Sequence, residues 1–526
     1  MQQLSGQDAM FLHAELDGLP QHIGGVSIYN QATAPGGKVR YKDILQTLES
    51  RLHLSPIFRR KLMMAPFGLD RPYWVEDPEF DLEYHVRHIA LPKPGDWRQL
   101  CILVSRLHSR PLVRSRPLWE MYIIEGLNNV EGLPRGCFAT LLKVHHAAMD
   151  GATGVKFTGA MNDLTPVPRV VAPEPHVVTR HPSQAELLAK AFFNSMAKPG
   201  QVFRFVQQAV PAYMRIRTGK KKQLFKSLGD KQRTRFQGKI SGHRVVEARS
   251  FDFDEVRAIK NSSPGATIND VMLTVVAGAL RKYLDSKGEL PEQTLVTGCP
   301  IDVRSPDERE AGGNMVGFMN VALRTDIKNP FERLQAVQKE SESSKAYAKA
   351  LGPRIAMDIT DTVPGGILSM AIRTAAATGL SEASVIYNTI VTNVPGSPHQ
   401  LYFCGAELVD TLSFGPLLPN VGLFHIVLSM VQNKRGTITV SFTACRDMLP
   451  DPAFYADCLQ ASYDELKKAA LPSRKTRKPA RKAPTGKKAK SPAAKKKRVA
   501  ASKKTTTQPR RKTRAKKAKA KSSTAT

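Results

Sequence analysis

The sequence predicts a mixed α/β protein of two layered lobes, joined by a proline-rich crossover and followed by a disordered basic tail. Three observations predict it. Stretches of period-two alternation interleave with stretches of helical apolar spacing on both sides of residues 166–240. Five prolines stand between Pro166 and Pro182, which reads as an extended connector. The charge then breaks at Ser473: residues 473–526 hold 23 of the 78 Lys and Arg and none of the 46 Asp and Glu, so the formal +32 of the 526-residue chain falls to +9 over residues 1–472.

The elements follow in order. Leu4-Ser5-Gly6-Gln7-Asp8 can cap a short helix through Phe11 and Leu12, and His22 to Tyr29 alternates like a strand. Asp43–Leu54 and Trp97–His108 have helical spacing; Trp119–Ile124 and Cys137–Val144 read as strands. These fill a first lobe, residues 1–165. The crossover, 166–240, carries helical stretches near Ala185–Ala197 and Val202–Arg217, the second split by Pro211, and a basic run at Arg215, Arg217, Lys220, Lys221, Lys222 and Lys226. That run is either a solvated helix face or an attachment site for an anionic lipid surface. The second lobe, 241–472, reads as a strand from Arg244 to Phe253, a strong helix from Ile268 to Leu284 opened by a Thr267-x-x-Asp270 capping box, strands at Thr294–Pro300, Met319–Arg324, Val385–Val394, Ile426–Val431 and Thr437–Thr443, and a closing helix over Asp451–Ala469. The tail, rich in Lys, Ala and Arg and free of aromatic residues, cannot offset its ordering entropy.

Composition excludes several classes. At 41% hydrophobic residues the chain is not wholly disordered, and six scattered cysteines with no CxxC spacing suggest neither a zinc knuckle nor a disulfide scaffold. Such thiols fit a reducing cytosol. The N-terminus lacks a basic segment followed by an apolar one, so no signal peptide is expected, and no run of 18 apolar residues suggests a membrane span.

The strongest local feature is His145-His146-Ala147-Ala148-Met149-Asp150-Gly151, which follows an apolar strand and precedes a helix starting near Ala152. A neutral imidazole at the rim of a rigid strand can take a proton from an alcohol near pH 7. Gly151 permits a tight turn, and Asp150 can fold back to hold the loop. Adjacent strand residues point to opposite faces, so at most one histidine is catalytic. A zinc site would need further ligands, and no HxxxH or CxxC partner is near; a serine hydrolase would need a GxSxG elbow, and the chain has none.

On these residues the chain resembles the CoA-dependent acyltransferases that share the HHxxxDG motif and a two-lobed chloramphenicol-acetyltransferase-like fold. Within them it is similar to the bacterial wax ester synthase/acyl-CoA:diacylglycerol acyltransferases. The resemblance spans about residues 4–460 and is carried also by Leu4-Ser5-x-x-Asp8-Ala9-x-Phe11-Leu12, Pro117-Leu118-Trp119, Asn269-Asp270-Val271, Gly312-Gly313-Asn314 to Gly317, and Thr392-Asn393-Val394-Pro395-Gly396. The tail lies outside the family pattern.

The resemblance implies an enzyme that transfers a long-chain acyl group from acyl-CoA to a fatty alcohol or a diacylglycerol, with no cofactor and no metal. His146 would be the general base and His145 its support. Asp150 would be structural, with Arg304 as a candidate partner across the lobes. Asn269 is either a polar group near the site or a first-turn helix residue, and Asp270 reads as a cap. Pro117, Leu118 and Trp119 line the acyl channel or anchor the core. Insoluble acceptors and products imply peripheral contact with a membrane or lipid inclusion from the cytoplasmic side, for which the crossover helices are candidates. The tail could bind any polyanion, nucleic acid or anionic lipid, without sequence preference. Two rivals stay open: an HHxxxDG acyltransferase with another acceptor, and a non-catalytic scaffold that binds polyanions or lipid granules.

Overall fold

Two six-stranded sheets with packed helices carry the chain in a computed structural model. It describes residues 1–66, 70–149, 151–172, 180–196, 232–302, 316–351 and 385–471, with five isolated positions between 370 and 378. All of these fall in one unit, residues 1–473. The helical stretch read at Val202–Arg217, the basic run at 215–226, Gly312–Asn314, Asp150, Arg304 and the tail lie outside the described residues.

In chain order the strands are β1 (Gln2–Gln3), β2 (His22–Asn30), β3 (Arg60–Met63), β4 (Tyr73–Glu76), β5 (Val86–Ala90), β6 (Trp119–Leu127), β7 (Cys137–His145), β8 (Arg244–Asp252), β9 (Val296–Asp302), β10 (Val316–Ala322), β11 (Thr389–Pro395), β12 (Tyr402–Phe403), β13 (Ala406–Phe414), β14 (Leu423–Gln432) and β15 (Arg435–Cys445). The first sheet runs β12-β13-β2-β7-β6-β5 and the second β10-β9-β11-β14-β15-β8; β1, β4 and β3 form a small third sheet. The described helices are α1 (Gly6–Ala14), α2 (Tyr41–Glu49), α3 (Leu82–His85), α4 (Trp97–Ser109), α5 (Gly151–Met161), α6 (Gln184–Met196), α7 (Phe253–Ser262), α8 (Ile268–Ser286), α9 (Pro330–Leu351) and α10 (Pro452–Ala470).

Strand β7 is central and nearly continuous in apolar residues because both its faces are covered. Phe138 and Val144 join Trp119, Met121 and Ile123 of β6 on one side. Cys137, Ala139 and Leu141 join Leu100, Val104 and Leu107 of α4 on the other. That second cluster also takes in Val246 and Ala248 of β8, so α4 lies between the two sheets and ties the lobes together. The Trp97 indole N–H donates to Glu247 at 2.5 Å across the same seam. In the second lobe α8 is buried along most of its length against α10 and the sheet.

The structure departs from the sequence reading in several places, among them strands β1, β3, β4, β5 and β12 and helix α3, none of which the reading contains. The stretch read as one helix over Asp43–Leu54 ends at Glu49 and continues as a short 3₁₀ turn, Leu52–Leu54. Helices α7 and α9 were not anticipated. Most consequential is β13, which lies inside the stretch assigned to the second lobe yet pairs with β2 of the first, from Glu407 opposite Asn30 to Phe414 opposite Gly24. The chain therefore returns to complete the first sheet before entering β14.

Candidate active site

The histidine pair stands where β7 ends. His22 opposes His145 in the β2–β7 ladder, and Trp119 opposes Val144 in the β6–β7 ladder, so the end of β7 is held on both sides. The clamp continues past the ladders: the His145 N–H donates to the Leu118 carbonyl at 2.9 Å, and the His146 N–H donates to the Gln21 carbonyl at 2.8 Å. Gln21 is itself fixed, its amide donating to the carbonyls of Leu19 and Leu417 at 3.2 and 3.3 Å. Backbone position at the pair is thus set by both neighbouring strands and by the 415–422 segment that leads from β13 to β14.

The two rings have different surroundings. His145 is buried. Its Nε2 lies 2.8 Å from Glu15 Oε2, and its Nδ1 accepts the Ala147 N–H at 3.0 Å. Because Nδ1 accepts, the ring proton belongs on Nε2, which donates to the carboxylate. Arg114 donates to the same carboxylate oxygen at 2.9 Å. Burial pushes the Glu15 carboxyl up, but the hydrogen bond from His145, together with the hydrogen bond and charge of Arg114, outweighs it and holds the group below the usual carboxylate range. His146 is only half-buried, and its ring lies parallel to that of Phe11, centroids 3.9 Å apart and planes 5° apart. The opposite orientation of adjacent strand residues leaves His145 as a brace and presents His146.

Behind the pair is a layer of buried titratable groups. The Lys143 ammonium donates to the carbonyls of Leu107 and Arg110 and pairs with Glu120 at 3.0 Å. Burial pulls it below the usual lysine range although Glu120 works the other way. His22 sits edge-on to His145 at 5.9 Å, and burial, then Lys143, hold it neutral. His108, next to Phe414, is pushed down to about 3 by burial and by the charges of Arg244 and Lys143. An unfolded histidine titrates near about 6.5, so between the two values the unfolded chain binds the extra proton and folding stability falls as the pH drops. From pH 7 to pH 5 this one ring removes about 2 kcal/mol. Denaturant unfolding of His108→Gln should lose about 2 kcal/mol less over that interval than the parent does; an identical loss in both would show that this ring does not sense the acid.

Pro117 and Leu118 lead into β6, which Trp119 opens, and the Leu118 carbonyl meets the pair directly. Pro117 and Leu118 are buried, and Leu118 packs with Leu4, Leu12 and Ala147. Trp119 is fully buried, donates its indole N–H to the Phe58 carbonyl at 3.0 Å and stacks on His85 at 4.7 Å. Gly151 opens α5. Asn269 and Asp270 stand in the other lobe, on the first turn of α8. Asp270 completes the expected capping box, its Oδ2 accepting from the Thr267 N–H at 2.9 Å and hydroxyl at 2.7 Å, while its buried Oδ1 has no hydrogen-bond partner among the described residues. Asn269 is half-buried beside it. The expected Asp150–Arg304 pairing lies outside the described residues. Among those residues no cluster of three or more His, Cys, Asp and Glu could hold a metal ion. The sequence reading missed Glu15, Gln21, His22 and Arg114. For Glu15 a signal existed: it follows Phe11 by four residues, one helical turn on the same face.

Comparison with known proteins decides the family. Residues 4–272 match the wax ester synthase/diacylglycerol acyltransferase catalytic domain, and residues 312–467 match the corresponding C-terminal domain. The chain belongs to the wax ester synthase/diacylglycerol acyltransferase family. It is an acyltransferase. A protein of Mycobacterium tuberculosis described as a putative diacylglycerol O-acyltransferase is 32% identical over 467 residues, which cover 89% of this chain and 90% of the relative. A probable diacylglycerol O-acyltransferase of the same organism is 30% identical over 469 residues, 88% of this chain and 98% of the relative. Among solved structures, the wax ester synthase/diacylglycerol acyltransferase of Marinobacter aquaeolei VT8 superposes with a TM-score of 0.63 at 25% identity, covering 89% of this chain and all of that one. The starter condensation domain of rhizomide synthetase, with a TM-score of 0.52 at 13% identity, shares the fold of the acyltransferase. The two-lobed chloramphenicol-acetyltransferase-like reading of the fold is therefore correct.

Proposed function

We propose that this acyltransferase moves a long-chain acyl group from acyl-CoA to the hydroxyl of a diacylglycerol or a fatty alcohol, with His146 as general base. The observation that carries the reading is the presentation of a half-buried imidazole at the end of a strand stapled from both sides, in a chain of this family. The acceptor O–H gives its proton to His146 as its oxygen bonds to the thioester carbonyl carbon. The C–S bond then breaks, the ester is released, and the departing CoA sulfur takes the proton from the imidazolium. No covalent acyl-enzyme and no cofactor are required, since base catalysis supplies roughly 10²–10⁴-fold and holding two substrates together a further large factor. Asn269 remains a candidate polar group for the oxyanion. The names of the Mycobacterium relatives favour diacylglycerol, and that of the Marinobacter protein includes wax ester synthesis as well. An acceptor panel with palmitoyl-CoA, scored by CoA thiol release, tests this: release with hexadecanol or with dioleoylglycerol is expected, and release with neither, while another hydroxyl or amine is acylated, would replace the reading with a different acceptor class.

Water-insoluble acceptors also call for contact with a lipid surface. Among the described residues no helix is long and apolar enough to cross a membrane. Helix α6 offers an outward apolar face, with Leu188, Phe192 and Phe193 at 39%, 63% and 68% exposure, while its inner side is fixed by Leu187, Ala191 and the Asn194 amide, which donates to Asp70 at 2.6 Å. We read this face as an interfacial contact. Phe192→Asp/Phe193→Asp should reduce co-flotation with liposomes at least several-fold while turnover of a soluble short-chain acyl-CoA is kept; unchanged flotation would discard this face. Binding of polyanions by residues 473–526 stays a separate proposal, tested by deleting them.

A further inference from the structure

We propose that α1 is the positioning element of the histidine pair, with Phe11 fixing His146 and Glu15 fixing His145. The proposal rests on the reading of His146 as base. Phe11 lies in α1 and Glu15 is its C-cap, four residues on, so one short element meets both rings. Phe11 lies face to face with the His146 imidazole. A parallel phenyl sets the plane of the neighbouring ring and keeps water from one side of it. Its negative π face also favours the imidazolium that forms when His146 takes the acceptor proton. Glu15 receives the Nε2 proton of His145 and so fixes the tautomer whose Nδ1 holds the Ala147 N–H. That bond shapes the first turn after His146. Removing the carboxylate would leave a buried ring N–H without its acceptor and free the ring to change tautomer.

The helix is itself immobilised, as a positioning element must be. At its start Ser5 accepts the Asp8 N–H at 3.0 Å, which makes the opening Leu4-Ser5-x-x-Asp8 a helix cap. Along its length Leu12 joins Leu4, Leu118 and Ala147 in one apolar cluster, so α1 packs on the same Pro117-Leu118-Trp119 segment that holds β7. At its end Arg114 donates to the free Leu12 carbonyl at 3.1 Å and, through the same nitrogen, to Glu15. A helix that only filled space would need no carboxylate on one histidine and no parallel ring on the other.

Phe11→Leu keeps the volume and removes the π face. It should lower kcat roughly 2–30-fold with little change in KM, and move the acid limb of the kcat/KM profile to lower pH by about 0.4–1.5 units; Phe11→Tyr should restore both. Glu15→Ala should lower kcat at least roughly tenfold, and Glu15→Gln, whose amide oxygen can accept the same hydrogen bond, should recover most of it. The position of the acid limb does not depend on how much of each variant folds, so it reads out even where yield falls. Wild-type kcat and an unmoved limb in Phe11→Leu, with Glu15→Ala no worse than Glu15→Gln, would overturn the proposal. His146→Ala run alongside separates the two failures. A fully active His146→Ala removes the base and the proposal together, whereas an inactive one beside an unmoved limb removes only the role of α1.

Discussion

Replacing His146 with alanine lowers turnover by roughly 10²–10⁴-fold, about 3–5 kcal/mol of transition-state stabilisation, while the protein stays folded. The two halves of this expectation have separate causes. The position of residue 146 is set by backbone bonds, its N–H to the Gln21 carbonyl and its neighbour's to Leu118, and alanine keeps both. The substitution removes a half-buried ring and with it the stacking on Phe11, which is worth about 0.5–1.5 kcal/mol. His145→Ala would behave differently. It takes from the Glu15 carboxylate one of its two donors, leaving Arg114, and frees the Ala147 N–H, so stability and activity should fall together. If His146→Ala kept a third or more of the parent turnover with either acceptor, His146 would not be the base.

Arg51→Met should destabilise the protein by about 3–5 kcal/mol. Arg51 and Asp163 form a bidentate pair at 2.9 and 2.8 Å, with side chains only 1% and 2% exposed. Asp163 stands two residues past the end of the helix that begins at Gly151, and its backbone exchanges hydrogen bonds with Tyr402 in both directions. The pair therefore ties the far end of the motif-bearing helix to the 3₁₀ turn after α2 and to the edge of the returning strands. Losing the guanidinium leaves a buried carboxylate whose remaining cationic partner, Arg169, is 3.4 Å away and 44% exposed. The double change Arg51→Met/Asp163→Leu should regain part of the loss, because no charge is then stranded. Urea unfolding measures both. A loss under 1 kcal/mol for the single change would mean that water or rearrangement compensates the pair.

Much of this site is written in local sequence. Ser5 and Asp8 cap α1, Thr267 and Asp270 cap α8, and the apolar run of β7 ends at the histidines, because each signal is read over a few residues. The same holds for the alternation of β2 and the helical spacing of α4. What escaped depends on distant pairing. Strand β13 carries no mark of its true partner; its inward residues Leu412 and Phe414 suit either sheet, and only the assembled ladder places them against β2. The spacing of Glu15 from Phe11 is weak evidence alone, because a glutamate at a helix end is ordinarily solvated. Its meaning depends on His145, 130 residues away. Trp119 was equally ambiguous between channel and core. Its packing against Phe58, His85 and Phe80 required folding a segment from well upstream over the sheet.

The claim on which this account stands is proton removal by one imidazole, and the pH dependence of kcat/KM tests it most directly. CoA release from palmitoyl-CoA should be followed between pH 5 and 9, with dioleoylglycerol and with hexadecanol, for the parent and for His146→Gln. The account predicts an acid limb in the histidine range for the parent and a small residual rate without that limb for the variant. The same limb at comparable rate in His146→Gln would contradict it.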